Sequence, residues 1–457
     1  MAKDKLERNV SCFNAWAMIV GTIIGTGIFF KPQAVFDATG SASFGLMAWV
    51  IGCFMGLCGG LVFAEIGALI PETGGMMTYL EKIYSRVFGY MIAWSQMVAF
   101  YPIRIAAAAV VFGTTACALL GLDPQMNIPL ACGLVVLMTL INYFGNSAAS
   151  LFQNTATVLK FIPIILIIVY GLFINDAPLK IQFEPILSES HPFWQGLAIS
   201  VMATLYATDG WCNASVIAGE MKNPGRDLPK AIIFGILTVT AVYLIINIAY
   251  LKVMTPAQLG ASATPGGDVA TLLFGNFGGK LIAAGIVVSI MGSMTGFTRA
   301  AWRIPYALAI RNLLPCSAWF ARLSSKTGMP VNSGIYILIA SVSSILFFKK
   351  FNTLTDIGSL VIWVFYTLTF VGLFILRKKW ADRPRPFRVP LYPITPIIGI
   401  ISGLFVIIST IIYQPIIALY ALILMGLGVP VYLYKRNAAP LADESDTDTV
   451  KVVKDNQ

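Results

Sequence analysis

Four ionisable side chains lie deep inside otherwise apolar stretches: Glu65, Arg104, Lys160 and Asp209, with Glu220 near the end of another. In hydrocarbon such a charge costs roughly 2.5–3.5 kcal/mol on insertion scales, so each needs a partner or a task. The chemistry open to them is charge pairing, proton carriage and the holding of a charged solute. Arg104 and Asp209 have opposite signs and would relieve each other's desolvation if they met. For Glu65, a plain ion pair with a neighbouring helix is as good a reading as a functional one. Lys160, ten residues into its stretch, reads as a fixed cation holding polar groups of other helices. No Ser/His/Asp or metal-ligand constellation accompanies them: the single histidine, His191, reads as a solvated loop residue, and the seven cysteines lack ligand spacing. A catalytic site, a metal site and a cofactor therefore find no support.

The elements that must position these residues follow from composition. Of 457 residues, 57% are hydrophobic and 11% charged, against about 25% charged in soluble proteins. The pattern predicts an all-α polytopic membrane protein of twelve spans, near 13–38, 44–70, 88–119, 128–142, 150–174, 193–219, 230–252, 277–309, 332–348, 353–376, 394–412 and 415–434. An even number puts both chain ends on one side. With the ends inside, and with charges towards the ends of a span counted on the side they adjoin, 23 of the 31 Lys and Arg are inner and 6 outer, Lys31 among the latter. By the positive-inside rule both termini are cytoplasmic. The net charge of +10 is then a topology signal, and nucleic-acid binding is excluded. The first apolar stretch is too long for a cleaved signal peptide. The tail, with Asp443, Glu444, Asp446 and Asp448, reads as disordered.

Two spans resist a continuous helix. The first holds Gly21-Thr22-Ile23-Ile24-Gly25-Thr26-Gly27-Ile28-Phe29, and the sixth holds Ala207-Thr208-Asp209-Gly210-Trp211-Cys212-Asn213. Helix packing explains the GxxxG pairs Gly52/Gly56 and Gly56/Gly60 of span two; in span one it leaves Gly27 and the threonines unexplained. A phosphate loop would need a preceding strand and a soluble helix, which the lipid-compatible flanks deny. An interrupted helix at membrane depth is tolerated only around a cavity or inside protein. Breaks at matching positions of two five-span blocks point to a transport site between inverted repeats.

Three passages then carry a family resemblance: Gly21 to Phe29, Glu65-Ile-Gly67 with Pro71 to Gly75 and Tyr79-Leu80, and Gly210-Trp211 with Gly219 to Ile232. The chain resembles the amino acid–polyamine–organocation superfamily, and within it prokaryotic members of the L-type amino acid transporter branch. The resemblance implies a five-plus-five inverted-repeat fold of the leucine-transporter type, with spans one and six discontinuous. The expected organisation is an N-tail over 1–12, repeats over 13–174 and 193–376, two added spans over 394–434 and a C-tail over 435–457. It also implies that a substrate carboxylate meets N–H groups of Thr26, Gly27 and Ile28. The substrate ammonium would meet carbonyls of Thr22, Ile23, Tyr206 and Ala207. Tyr206 would be an aromatic gate and Trp211 a packing residue. Lys160, with Ser289 and Ser293 as neighbours, would stand where sodium-coupled cousins hold sodium. Arg104 and Cys212 depart from the family's usual residues, and Asp209 has acidic counterparts only in some relatives. Animal members tether a glycoprotein through a cysteine between spans three and four; Gly121 to Asn127 has none, so no disulfide-tethered heavy chain is expected.

The expected function is sodium-independent exchange of small neutral L-amino acids such as serine, threonine and alanine, in the plasma membrane, with Arg104 neutralised by Asp209. An unpaired Arg104 would favour acidic substrates instead. The rivals are proton symport through Glu65, Asp209 or Glu220, and a channel or sensor on the same fold.

Overall fold

The computed structural model describes residues 11–72, 74–144, 152–153, 155–156, 158–174, 191–212, 221–325, 327–438 and 441. Their regular structure is helical: α1 (Cys12–Ile23), α2 (Thr26–Thr39), α3 (Ala42–Leu69), α4 (Met76–Ile83), α5 (Arg86–Leu120), α6 (Asn127–Tyr143), α7 (Phe161–Val169), α8 (Phe193–Thr208), α9 (Pro224–Val253), α10 (Pro256–Ala261), α11 (Pro265–Ile310), α12 (Ser317–Phe320), α13 (Val331–Phe348), α14 (Phe351–Lys379), α15 (Ile394–Tyr413) and α16 (Pro415–Lys435). Nine helices among the described residues are long and apolar enough to cross a membrane, and the bent pair α1–α2 makes a tenth. The protein is thus a polytopic helical membrane protein. Of the two other expected spans, the fifth is described only in parts and the sixth as far as Cys212. Glu220, Asn213 and the acidic C-terminal residues lie outside the described residues.

Local chemistry sets the helix ends. Ser11 caps α1 by accepting the Asn14 N–H at 3.2 Å. Thr255 and Gln258 form a reciprocal capping box on α10. Within α5, a widened turn at Gln96–Phe100 precedes Pro102; proline lacks the N–H that an α turn would give to the residue four back. Arg104 follows that turn and is 8% exposed.

Small residues in α3 allow close helix approach. A Cβ at Gly52 would lie 2.0 Å from Thr204 Oγ1 of α8, and one at Gly60 would lie 2.4 Å from Ile236 Cδ1 of α9. This is the packing use of a GxxxG pattern. Helix α8 also packs on α2, while α5 packs on α6, α11, α13 and α14.

Two expectations are corrected. The span expected at 277–309 belongs to a longer helix, because an additional helical segment over 265–274 joins it at Gly275, whose φ is 69°. Lys31 is not an outer-loop residue: α2 continues through it to Thr39, and its side chain is 1% exposed. His191 lies in the bend just before α8 and is partly exposed.

Candidate functional site

The site is built where α1 gives way to α2 and α8 ends. The axes of α1 and α2 differ by 45° across Ile24–Gly25. Helix α8 stops at Thr208, with Asp209 extended and Gly210 at φ 139°, a region that glycine occupies without the usual side-chain clash. The two breaks interlock. A Cβ on Gly27 would lie 2.8 Å from the Ala207 Cα, and one on Gly210 would lie 3.1 Å from Ile23 Cγ1. Each glycine therefore lets one broken helix close on the other.

Broken ends leave unsatisfied backbone groups. The first N–H groups of α2, on Thr26, Gly27 and Ile28, have no intrahelical acceptor by geometry, and the helix dipole makes that end favourable to an anion. At the opposite polarity, the Tyr243 hydroxyl of α9 bridges the Ala207 carbonyl at 2.9 Å and the Ile23 carbonyl at 3.3 Å. Lys160 donates from Nζ to the Ile24 carbonyl at 2.9 Å and to the Gly21 carbonyl. A fixed ammonium thus sits on the negative end of α1, which suits a cation. Ser289 Oγ and Ser293 Oγ have no hydrogen-bond partner among the described residues. Lys160 therefore holds the carbonyls of α1 and makes no hydrogen bond to these serines. Ser293 faces Gly25, with its Oγ 3.3 Å from where a Cβ would stand.

Arg104 and Asp209 meet. The Arg104 guanidinium donates to Asp209 Oδ2 at 2.7 Å and to the Asp209 carbonyl at 3.3 Å. The rings of Phe297, Tyr206 and Phe100 surround it at 4.6, 5.3 and 5.5 Å. Tyr366 of α14 donates its hydroxyl proton to Asp209 Oδ1 at 2.7 Å, and Cys212 Sγ lies 3.0 Å from that hydroxyl oxygen. Both carboxylate oxygens are thereby engaged, and the pair presents no net charge. Trp211 packs on Phe63 and Tyr366, with ring centres 5.0 and 4.9 Å away.

Two cavities flank Arg104. One is lined by Thr22, Ile23, Gly25, Thr26, Gly27 and Ala207, together with Tyr206, Ser293 and Phe297. The other lies towards α14, among Phe100, Tyr206, Thr355, Ser359 and Trp363. Each has a volume of about 10 Å³, room for about one water. Neither cavity has room for an amino acid, so a solute of that size needs helix movement to occupy either one.

The structure brings Thr22, Ile23, Thr26, Gly27, Tyr206, Ala207, Asp209 and Arg104 together; Ile28 follows in α2 and is fully buried. Glu65 lies elsewhere. It is fully buried and accepts from Arg377 Nε at 3.0 Å, Arg377 Nη2 at 2.6 Å, Arg385 Nη1 at 3.2 Å and the Val389 N–H at 2.7 Å. Three residues escaped sequence reasoning: Tyr243, Tyr366 and Lys31. The position of Lys31 within 13–38, between Phe30 and Pro32, is a signal that could have found it. The two tyrosines sit in ordinary apolar helix and carry no such mark.

A family model described as amino acid permease matches residues 10–429. The serine/threonine exchanger SteT of Bacillus subtilis is 35% identical over 439 residues, covering 95% of this chain and 98% of that protein. The b(0,+)-type amino acid transporter 1 of Mus musculus is 30% identical over 420 residues, covering 90% and 84%. The large neutral amino acids transporter small subunit 2 of Homo sapiens is 26% identical over 434 residues, covering 93% and 80%. The chain belongs to the amino acid permease family of the amino acid–polyamine–organocation superfamily.

Proposed function

We propose that this protein exchanges small neutral L-amino acids, such as serine, threonine and alanine, by sodium-independent antiport across the cell membrane. The observation that carries the reading is the pair of interlocked helix breaks with a neutralised Arg104–Asp209 wall. The α-carboxylate would lie on the N–H groups of Thr26, Gly27 and Ile28. The ammonium would lie near the carbonyls of Thr22, Ile23, Tyr206 and Ala207, where Tyr243 already holds two of them in place. Tyr206 closes over the solute. Its side-chain wall is small and uncharged overall, which suits a short neutral side chain. The Lys160 amino group already occupies the carbonyls at the end of α1, which leaves a sodium ion no free ligands there. The relative named as a serine/threonine exchanger supports the same substrate class.

The wider architecture in this reading is twelve spans in two inverted five-span repeats plus two, with both termini cytoplasmic. The chain works without a tethered heavy chain, since residues 121–127 lack a cysteine. As a transporter of its family it is not an enzyme. Proton symport through Glu65 is disfavoured, because two guanidinium groups and an N–H already occupy both of its oxygens, away from the helix breaks.

The test is uptake of labelled L-serine into proteoliposomes. Uptake should occur only into vesicles preloaded with a neutral amino acid and should ignore sodium and pH gradients. Concentrative uptake into empty vesicles driven by a pH gradient would replace exchange with symport.

A further inference from the structure

Helix α14 is tied by polar side chains at three depths. Near its start, Lys31 of α2 donates from Nζ to Thr355 Oγ1 at 2.7 Å and Asn352 Oδ1 at 3.2 Å, with Asp356 Oδ1 at 3.9 Å. Asp356 Oδ2 also accepts from Gln414 Nε2 at 3.1 Å, and Asn352 Nδ2 donates to Gln33 Oε1 at 3.2 Å. Midway, Tyr366 holds Asp209. Near its end, Arg377 holds Glu65 of α3, with Arg385 and the Val389 N–H of the following loop joining from the same side. At about 1.5 Å per residue, Asp356 and Arg377 are about 31 Å apart along the axis, close to the thickness of a bilayer's hydrocarbon core. The two charged ties therefore mark opposite mouths of the protein.

The Lys31 tie also reaches the site. Its ammonium lies 5.1 Å from the Tyr206 ring centre and 5.0 Å from that of Phe351, and the Phe351 ring packs edge-on against Tyr206 at 6.1 Å. Below them lies the cavity lined by Tyr206, Thr355 and Ser359. A lysine that is 1% exposed, with every neighbour on α14 or at the gate, does not serve solubility. Both ties are made in this structure, and each cavity between them has room for about one water.

We propose that Lys31 with Asn352, Thr355 and Asp356 is a latch on the mouth far from the chain termini, opposed by a second latch, Glu65 with Arg377 and Arg385, at the mouth near them. Releasing the Lys31 latch frees Tyr206 and Phe351 to open the far mouth while the Glu65 latch stays closed. Releasing the Glu65 latch does the reverse. Lys31 is a positioning residue, acting on the solute only through Tyr206. The inference rests on the alternating-access reading above and adds the groups that gate each side.

The experiment follows Ser359→Cys in oriented vesicles whose outer solution faces the far mouth. A membrane-impermeant methanethiosulfonate is added outside, and modification at position 359 is read by peptide mass spectrometry. Loss of a charge-assisted hydrogen bond shifts a two-state equilibrium by about tenfold. Lys31→Met, Thr355→Val and Asp356→Asn should therefore speed labelling by about that factor, whereas Glu65→Gln should slow it. Lys31→Arg, which keeps the cation, should stay near the parental rate. If Lys31→Met does not fold, the Thr355 and Asp356 variants carry the same expectation with Lys31 in place. Unchanged labelling in the far-mouth variants, or faster labelling in Glu65→Gln as well, would overturn the opposed latches, the second result meaning general loosening. Labelling needs no substrate, so a failure of serine exchange in the parental chain would be seen separately.

Discussion

At the scale of single residues, the Arg104–Asp209 pair decides what kind of solute the site can favour. A cation left alone in that wall would attract a second carboxylate; bound to Asp209 and ringed by Phe100, Tyr206 and Phe297, it is a neutral, rigid surface. Removing one member of a buried pair costs about 3–5 kcal/mol, while replacing both can be close to neutral. Arg104→Met should therefore lower the melting temperature in detergent markedly, and Arg104→Met with Asp209→Asn should restore most of the loss. Equal destabilisation by the single and double changes would show that the pair is not the source of stability. The opposite signs of the two residues, and their positions deep in apolar stretches, made the pairing legible in the sequence. The partners of Glu65 were not, because Arg377 is 312 residues away and no local pattern links them. Lys31 was counted among the outer charges although the expected first span, 13–38, already contains it; α2 continues through Pro32 to Thr39.

At the scale of elements, glycine and threonine at Gly21–Phe29 and the Asp209-Gly210 step marked both breaks. The structure adds that the breaks are in contact. A methyl group on Gly27 would press into the Ala207 backbone at 2.8 Å, and overpacking of this kind costs about 1–3 kcal/mol. Gly27→Ala should therefore reduce serine exchange by about tenfold or more, with little change in the amount of folded protein inserted. Exchange at the parental rate would mean that the two half-helices do not need to touch. The bend at Gly275 escaped sequence reading because a lone glycine in an apolar stretch is common in membrane helices. The widened turn before Pro102 is likewise invisible as a pattern.

At the scale of the whole molecule, one helix, α14, meets the far mouth, the site and the near mouth through Asp356, Tyr366 and Arg377. Movement of the solute is coupled to both mouths if these contacts exchange in turn. Hydropathy and charge asymmetry made the membrane class legible. The size of the two cavities was not, since a sequence shows which residues can line a cavity but not how much room they leave. The most direct test of a neutralised site between two helix breaks is competition in serine-preloaded vesicles, with labelled serine outside and excess unlabelled amino acid added. Threonine and alanine should suppress serine exchange, while glutamate should leave it intact. Suppression by glutamate that vanishes in Arg104→Ala would show a free guanidinium in the site and contradict the paired wall.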